Sequence, residues 1–473
     1  MAGNAIAQLM LLFWLPLALV VASMVKSPQR AFLIVVVGGA MFLPELVAFD
    51  FPLVPPFNKH VIAMMSAAFA LLATKPESIT GRQNTSAAIF IGISLLVLNV
   101  VTGLKNPEPL FYGVKVLPGL TLHDILSFFI GDVLHVFLPF YLGQALFRTP
   151  EHLRELLRAL VVGALIYVPF ILAEARLSPI VHLKLYGFFQ HEFLQAVRAG
   201  GFRAFVCMSH GLVVALFVSL ALTSAAGLSR TKTPSLPLPA AVALIVLVVT
   251  LITCKSMGAI IYAIVSVPLV WFTSARMQAR VASWLAVCVL TYPLLRMFGL
   301  ISTEWFLEQA TAWGGEDRAQ SLEFRFLNEI ALLEKAQERP YFGWGGWGRN
   351  QIFEASTGKN ISVTDGEWII QFGVGGAFRY ALIFGLLLLP VLSAKKTTAL
   401  LPKGSDEARL VALTAVLLAF TGVDLLPNAL SHKLPFVMAG ALTSVAAGVL
   451  QRARSGDPSL ASGGARVASY GAP

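Results

Sequence analysis

Charge is scarce in this sequence: Lys, Arg, Asp and Glu make up 13% of 473 residues, against 57% hydrophobic residues. A soluble domain needs roughly twice that share of charge to cover its surface, so a soluble fold is excluded. Cysteine is nearly absent. The three present, Cys207, Cys254 and Cys288, lie in or beside apolar segments without metal-ligand spacing, so neither a disulfide framework nor a zinc site is indicated. There is no Asp-x-Asp pair to hold a metal, no evident internal repeat and no domain boundary. No basic residue precedes the first apolar run, Ala5 to Val25, so the positive n-region of a cleavable signal peptide is missing and the run is expected to be retained. The formal charge of +10 comes from basic residues scattered through short connections, which membrane topology explains better than nucleic-acid binding.

What is present is a train of apolar runs, with a mean hydropathy of +0.76. They fall near 5–25, 31–49, 60–74, 87–103, 125–147, 159–175, 203–226, 240–254, 257–275, 281–300, 368–392, 410–423 and 434–450. Crossing hydrocarbon takes about 20 apolar residues as a helix, because only a helix satisfies its own backbone without water. The expected fold is therefore all-α, a polytopic membrane helix bundle of about 12–13 transmembrane helices. Residues 1–300 carry ten of them, 301–367 form one large polar loop, 368–450 hold the C-terminal helices, and 451–473, rich in Ser, Gly and Ala, are expected to be a disordered cytoplasmic tail.

Lys and Arg accumulate on the cytoplasmic side of a membrane protein. Alternate connections carry Lys26 and Arg30, Lys75 and Arg82, Arg148 to Arg158, Arg230 and Lys232, Arg276 and Arg280, and Lys395 to Arg409. Alternation then puts the 301–367 loop outside. One outside connection, 176–203, breaks the bias with Arg176, Lys184, Arg198 and Arg203, accompanied by His182 and His191.

The loop holds the densest chemistry. Leu322, Phe326, Ile330 and Leu333 recur at helical spacing from Gln320 to Glu338, an amphipathic helix stopped by Pro340. Arg325 and Glu329 stand four apart and can pair on one face, which a solvated ion pair on a surface helix would also explain. Trp344, Trp347 and Arg349 lie in the glycine-rich run from Pro340 to Asn350, suited to a sugar ring or a lipid headgroup, and equally to an interfacial aromatic belt. Asp365 and Glu367 sit at the mouth of the next span, as a base for an attacking hydroxyl or as favourable charges at a helix start. Arginines in the 176–203 connection match phosphate oxygens, whether of a lipid-linked donor or of ordinary headgroups. Within spans, Asp132 and His135 are spaced three apart and Lys255 follows an apolar run; a tie between helices or a proton path accounts for such residues.

Together these segments resemble the O-antigen ligase and polysaccharide polymerase superfamily of integral-membrane glycosyltransferases. The resemblance rests on Arg198-Ala-Gly-Gly-Phe-Arg203 running to Ser209-His210-Gly211, on Lys255-Ser256-Met257-Gly258-Ala259, and on Arg325 followed by Arg339-Pro340-Tyr-Phe-Gly343-Trp-Gly345 and Gly373-Val-Gly375-Gly376. It covers roughly residues 198–380. Family ligases place a histidine just ahead of the last large span, whereas this chain has Thr364-Asp365-Gly366-Glu367-Trp368, which points to a polymerase with a carboxylate base.

The resemblance implies a GT-C-like bundle with a periplasmic loop in the bacterial inner membrane. It implies transfer of a glycan from an undecaprenyl-diphosphate carrier to a second lipid-linked repeat unit, building exopolysaccharide or O-antigen. Arg198, Arg203 and Arg325 are the expected diphosphate ligands, Asp365 and Glu367 the expected base, and His210, Trp344, Trp347 and Arg349 the expected substrate contacts. The expected partners are lipid-linked glycan donor and acceptor, membrane lipids and a chain-length regulator; no metal, cofactor or nucleic acid is expected. A transporter or flippase for lipid-linked sugars is the rival from another class, and a non-catalytic subunit of an assembly complex the third.

Overall fold

The structure, a computed structural model, describes residues 3–51, 54–80, 85–198, 200–233, 235–429 and 433–457. The N-terminal half runs through α1 (Ala5–Met24), α2 (Pro28–Phe42), α3 (Lys59–Thr74), the single turn α4 (Glu77–Thr80), α5 (Thr85–Leu104), α6 (Leu122–Asp132), α7 (Leu138–Leu146), α8 (Pro150–Leu177) and the short α9 (Val181–Tyr186). The C-terminal half comprises α10 (Gly211–Leu228), α11 (Ala240–Thr253), α12 (Met257–Phe272), α13 (Ala275–Met297), α14 (Thr303–Gly314), α15 (Glu316–Gln337), α16 (Glu367–Leu400), α17 (Asp406–Asp424) and α18 (Leu434–Arg454). Among the described residues, paired strands form three small hairpins: β1 (Ala48–Phe49) with β2 (Phe57–Asn58), β3 (Leu110–Tyr112) with β4 (Lys115–Leu117), and β5 (Val197–Arg198) with β6 (Gly201–Phe202).

Every apolar run contains a helix. Eight helices among the described residues are long and apolar enough to cross a membrane, and four more, α2, α3, α11 and α12, are apolar but shorter. The count of full-length spans is thus below the expected 12–13, because hydropathy sees apolar character and misses where the chain turns. Between α11 and α12, for example, Lys255 adopts a left-handed φ of 51° and closes a tight connection. The exposed Leu12, Phe13, Phe90, Ile93, Ile245 and Ile264 form the apolar outer surface of a multi-pass membrane protein.

The core is built around α17, which is buried along nearly its whole length and packs on α8, α10, α12, α13, α16 and α18. Small residues permit the closest helix approaches. A Cβ on Gly143 of α7 would lie 2.2 Å from the Val437 carbonyl oxygen, and one on Gly440 of α18 would lie 2.0 Å from that of Phe140. Helices in lipid associate through such contacts because lipid removes the hydrophobic drive between them.

The connections sort to two ends. At one, Arg30 pairs with Glu155 at 2.6 Å, Arg154 with Asp406 at 3.1 Å, and Arg452 with Glu407 at 3.1 Å, so the basic connections gather together. The opposite end carries the 301–367 segment, the β5–β6 hairpin and the α11–α12 turn. The tail beyond Asp457 lies outside the described residues.

Candidate active site

The segment after α13 is more structured than one polar loop. Ser302 caps α14, and α15 starts at Glu316, ahead of the expected Gln320. Arg325 and Glu329 lie four apart on α15 yet turn to different partners. Glu329 accepts from Arg296 Nε at 2.7 Å and from the Trp368 indole at 3.1 Å, which fastens α15 to the ends of α13 and α16; burial raises its carboxyl pKa against the pull of Arg296. Arg325 Nε instead meets Asp365 Oδ2 at 3.4 Å. The expected 325–329 pair is therefore replaced by two separate ones, since each side chain has a closer opposite charge off the helix.

Beyond α15, residues 340–345 insert into a break in α16. Gly375 and Gly376 leave helical geometry, Gly376 with φ 67°, and the freed groups bond to the inserted segment. Trp344 N–H donates to the Gly373 carbonyl at 2.9 Å, Gly345 N–H to Val374 at 2.8 Å, and Ala377 N–H to the Pro340 carbonyl at 2.7 Å. Broken helices are tolerated in membranes only when their freed groups are satisfied in this way. A Cβ on Gly376 would sit 2.2 Å from the Tyr341 carbonyl carbon, so glycine is required there. The run Arg339–Gly345 and the run Gly373–Gly376 thus interlock.

Two expected substrate contacts belong to this clamp. Arg349 is 1% exposed and donates to the carbonyls of Trp344 at 3.1 Å, Glu108 at 3.0 Å and Pro118 at 2.8 Å, so its guanidinium holds backbone. Trp344 is buried with its indole on the Lys335 carbonyl at 2.8 Å, and Arg339 lies over its ring and pairs with Glu108. Trp347 behaves differently: it is exposed, has a φ of 57°, and tilts over Phe128 at 5.6 Å.

Two of the expected diphosphate ligands, Arg198 and Arg203, are tied together through Lys255. Arg203 Nη2 donates to the Lys255 carbonyl at 3.1 Å, and Lys255 Nζ returns a bond to the Arg198 carbonyl at 3.0 Å, so the α11–α12 turn fixes the β5–β6 hairpin. His210 caps α10 by accepting from Leu212 N–H through Nδ1 at 3.0 Å, which leaves Nε2 to donate to Gln195 Oε1 at 3.2 Å. Burial, then the nearby His191, Arg203, Arg325 and Arg198, push its pKa down to about 3. His210 therefore stays neutral, and its surroundings bring the three arginines into one electropositive neighbourhood. Asp424, the last residue of α17, adds a carboxylate that bonds Tyr262 and feels Arg325. It was not among the sequence candidates, since it ends an otherwise apolar run.

Asp365 and Glu367 part company. Arg325, Asp365 and Gly366 line a cavity of about 20 Å³ with Ile369 and Leu426. Glu367 turns to the far side of the first α16 turn, accepts from Gln371 Nε2 at 2.6 Å, and lines a second cavity of about 270 Å³. Residues two apart at a helix start do not share a face. The second cavity also contains Asp132, which makes a double contact to Arg379 at 2.6 and 2.7 Å and accepts from Asn99 at 2.7 Å. The tie expected of Asp132 is thus to Arg379 and Asn99, whereas His135 lies on a π-helical turn, Val133–Phe137.

The chain matches no protein-family model and no curated protein.

Proposed function

We propose that this chain is a glycosyltransferase of the bacterial inner membrane, GT-C-like in architecture. In this reading it polymerises undecaprenyl-diphosphate-linked repeat units into exopolysaccharide or O-antigen, with the 301–367 segment on the periplasmic face. The observation that carries the reading is the gathering of Arg198, Arg203 and Arg325 around His210, with Arg325 paired to Asp365.

The chemistry follows from that arrangement. The acceptor hydroxyl oxygen attacks the donor anomeric carbon, the bond from that carbon to the phosphate oxygen breaks, and undecaprenyl diphosphate leaves with the electron pair. Fixed guanidinium groups stabilise the growing negative charge without reorganising. About 20 Å³ admits a water and no diphosphate, so donor entry requires Asp365 to yield its place on Arg325. The phosphate oxygens take over the guanidinium, and the released carboxylate accepts the proton of the acceptor hydroxyl. A donor thereby uncovers its own base, and Asp365 rather than Glu367 holds that role.

The test is synthesis by the purified chain in nanodiscs supplied with a lipid-linked repeat unit. Arg203→Ala, Arg325→Ala and Asp365→Asn should each lower polymer formation roughly 10²–10³-fold while the protein still inserts. Polymer of ordinary yield and length from all three would remove the proposal. A lipid-linked sugar transporter is the second reading, favoured by the broken α16 beside a cavity that holds Asp132, Glu367, Arg379 and Lys433. It predicts that lipid-linked units cross the bilayer of proteoliposomes and emerge unpolymerised.

A further inference from the structure

The cavity of about 270 Å³ beside Glu367 is much larger than the one beside Asp365, and the transfer chemistry above leaves it without a task. Its walls come from distant parts of the chain: the β1–β2 connection through Pro55 and Pro56, α6 through Phe128 and Gly131, the loop through Trp347, and α16 through Glu367 and Arg379. About 270 Å³ lies near the lower edge of small-ligand pockets, which begin at roughly 300 Å³.

Its chemistry is mixed and balanced. Asp132 and Arg379 neutralise one another, Lys433 lies within reach of both Asp132 and Glu367, and so the charged side chains sum to zero. Neither a phosphate nor a cation finds an excess of opposite charge here, in contrast to the arginine cluster across α16. Donors and acceptors are abundant, with Asn99, Ser127 and Gln371 beside the charged groups. His135 lines the same space, and its Nδ1 is buried without a hydrogen-bond partner. Its turn is π-helical, a form that recurs at functional sites.

One wall is aromatic. Trp347 is held left-handed, a backbone state that bulky residues adopt only under constraint, and its indole bonds the Asp124 carboxylate while its ring rests against Phe128. The ring is thereby fixed at the mouth rather than folded away. A flat apolar face opposite a field of paired donors and acceptors is the complement of an uncharged ring whose faces are C–H and whose edges are hydroxyl.

We propose that this cavity binds a neutral saccharide ring. Resting on the proposed function, the inference deepens it: the ring belongs to the acceptor repeat unit, held on the Glu367 side of α16 while the donor diphosphate occupies the Asp365 side. Asn99, Ser127 and Gln371 meet the sugar hydroxyls, and Trp347 stacks on the ring face.

The experiment is binding of phenyl glycosides of glucose, galactose, mannose and N-acetylglucosamine to the full chain in nanodiscs, by saturation-transfer NMR, with phenyl glucuronide as the anionic control. At least one neutral glycoside should bind, and the glucuronide at least ten-fold more weakly. Trp347→Ala removes an exposed ring and should raise the Kd at least ten-fold. Gly131→Leu fills the space and should do the same; a Cβ there meets nothing nearer than Pro55 at 3.6 Å, so the backbone tolerates it. Arg325→Ala should leave glycoside binding unchanged. Failure of every neutral glycoside to bind, equal binding of the glucuronide, or unchanged Kd in both cavity variants overturns the inference. Transfer without glycoside binding removes the cavity assignment alone. Glycoside binding without transfer keeps a saccharide site and removes the polymerase reading.

Discussion

Asp365 and Glu367 stand on either side of Gly366 and open onto two cavities whose electrostatics differ. On the Asp365 side, Arg325 meets its partner at 3.4 Å with both side chains about one-third exposed, and Arg325 shares with Arg198 and Arg203 an influence on His210. On the Glu367 side, Asp132 and Arg379 meet at 2.6 Å, largely buried and opposite in charge, so that they cancel. The difference teaches that an ion pair does two jobs in this bundle. A loose pair beside extra cations is exchangeable, because water and incoming anions compete for it; a tight buried pair is structural, because neither partner can leave without stranding the other.

Removing one partner from each pair breaks or sharpens that comparison. Arg379→Leu strands Asp132 and should destabilise the protein by about 3–5 kcal/mol, visible as a large fall in melting temperature in detergent. The double variant Asp132→Leu with Arg379→Leu should recover most of the loss. Arg325→Ala should cost less than about 1 kcal/mol, because the exposed pair is screened by water and its loss relieves repulsion from the neighbouring arginines. Equal destabilisation by Arg325→Ala and Arg379→Leu would abolish the distinction. Between these lies Gly376→Ala, where a Cβ meets the Tyr341 backbone and φ is 67°. It should cost about 1–3 kcal/mol and unseat residues 340–345, measured as faster proteolysis within the 338–366 segment.

Much of this architecture was legible in the sequence, and unevenly so. The thirteen apolar runs each hold a helix because hydropathy over a span's length reports burial in lipid directly. The meeting of Arg325 with Asp365 was legible only as membership of one loop, since no spacing rule connects residues forty apart. Arg349 and Trp344 read as contacts because glycine-rich loops with exposed donors often are. Their actual partners, the carbonyls of Glu108, Pro118 and Lys335, carry no sequence signature. Arg379 escaped notice for a related reason: one arginine in a 34-residue helix looks like a span-end charge until Asp132 is seen opposite it. The break at Gly375–Gly376 was visible as a glycine pair, but its consequence needed the loop that repairs it.

The pH dependence of His210 sharpens the comparison from the side of charge. Its folded pKa of about 3 lies below the ordinary value of 6.5, so the folded protein binds fewer protons there than the unfolded chain. A depressed pKa contributes stability that is complete above about 6.5 and is lost as pH falls towards 3, with a slope approaching 1.4 kcal/mol per pH unit and less after solvent screening. His210→Asn keeps a side-chain acceptor at the start of α10 and removes the titrating ring. Melting temperature should therefore fall less steeply between pH 6 and pH 4 in the variant than in the parent. Arg325→Ala in the parent should raise the His210 pKa, so that the decline still begins near pH 6.5 but levels off at a higher pH with a smaller total loss, because one of the cations that hold the ring neutral has gone. Parallel pH profiles in all three proteins would mean that the arginines do not share one electrostatic neighbourhood, and the contrast between the two flanks of Gly366 would lose its basis.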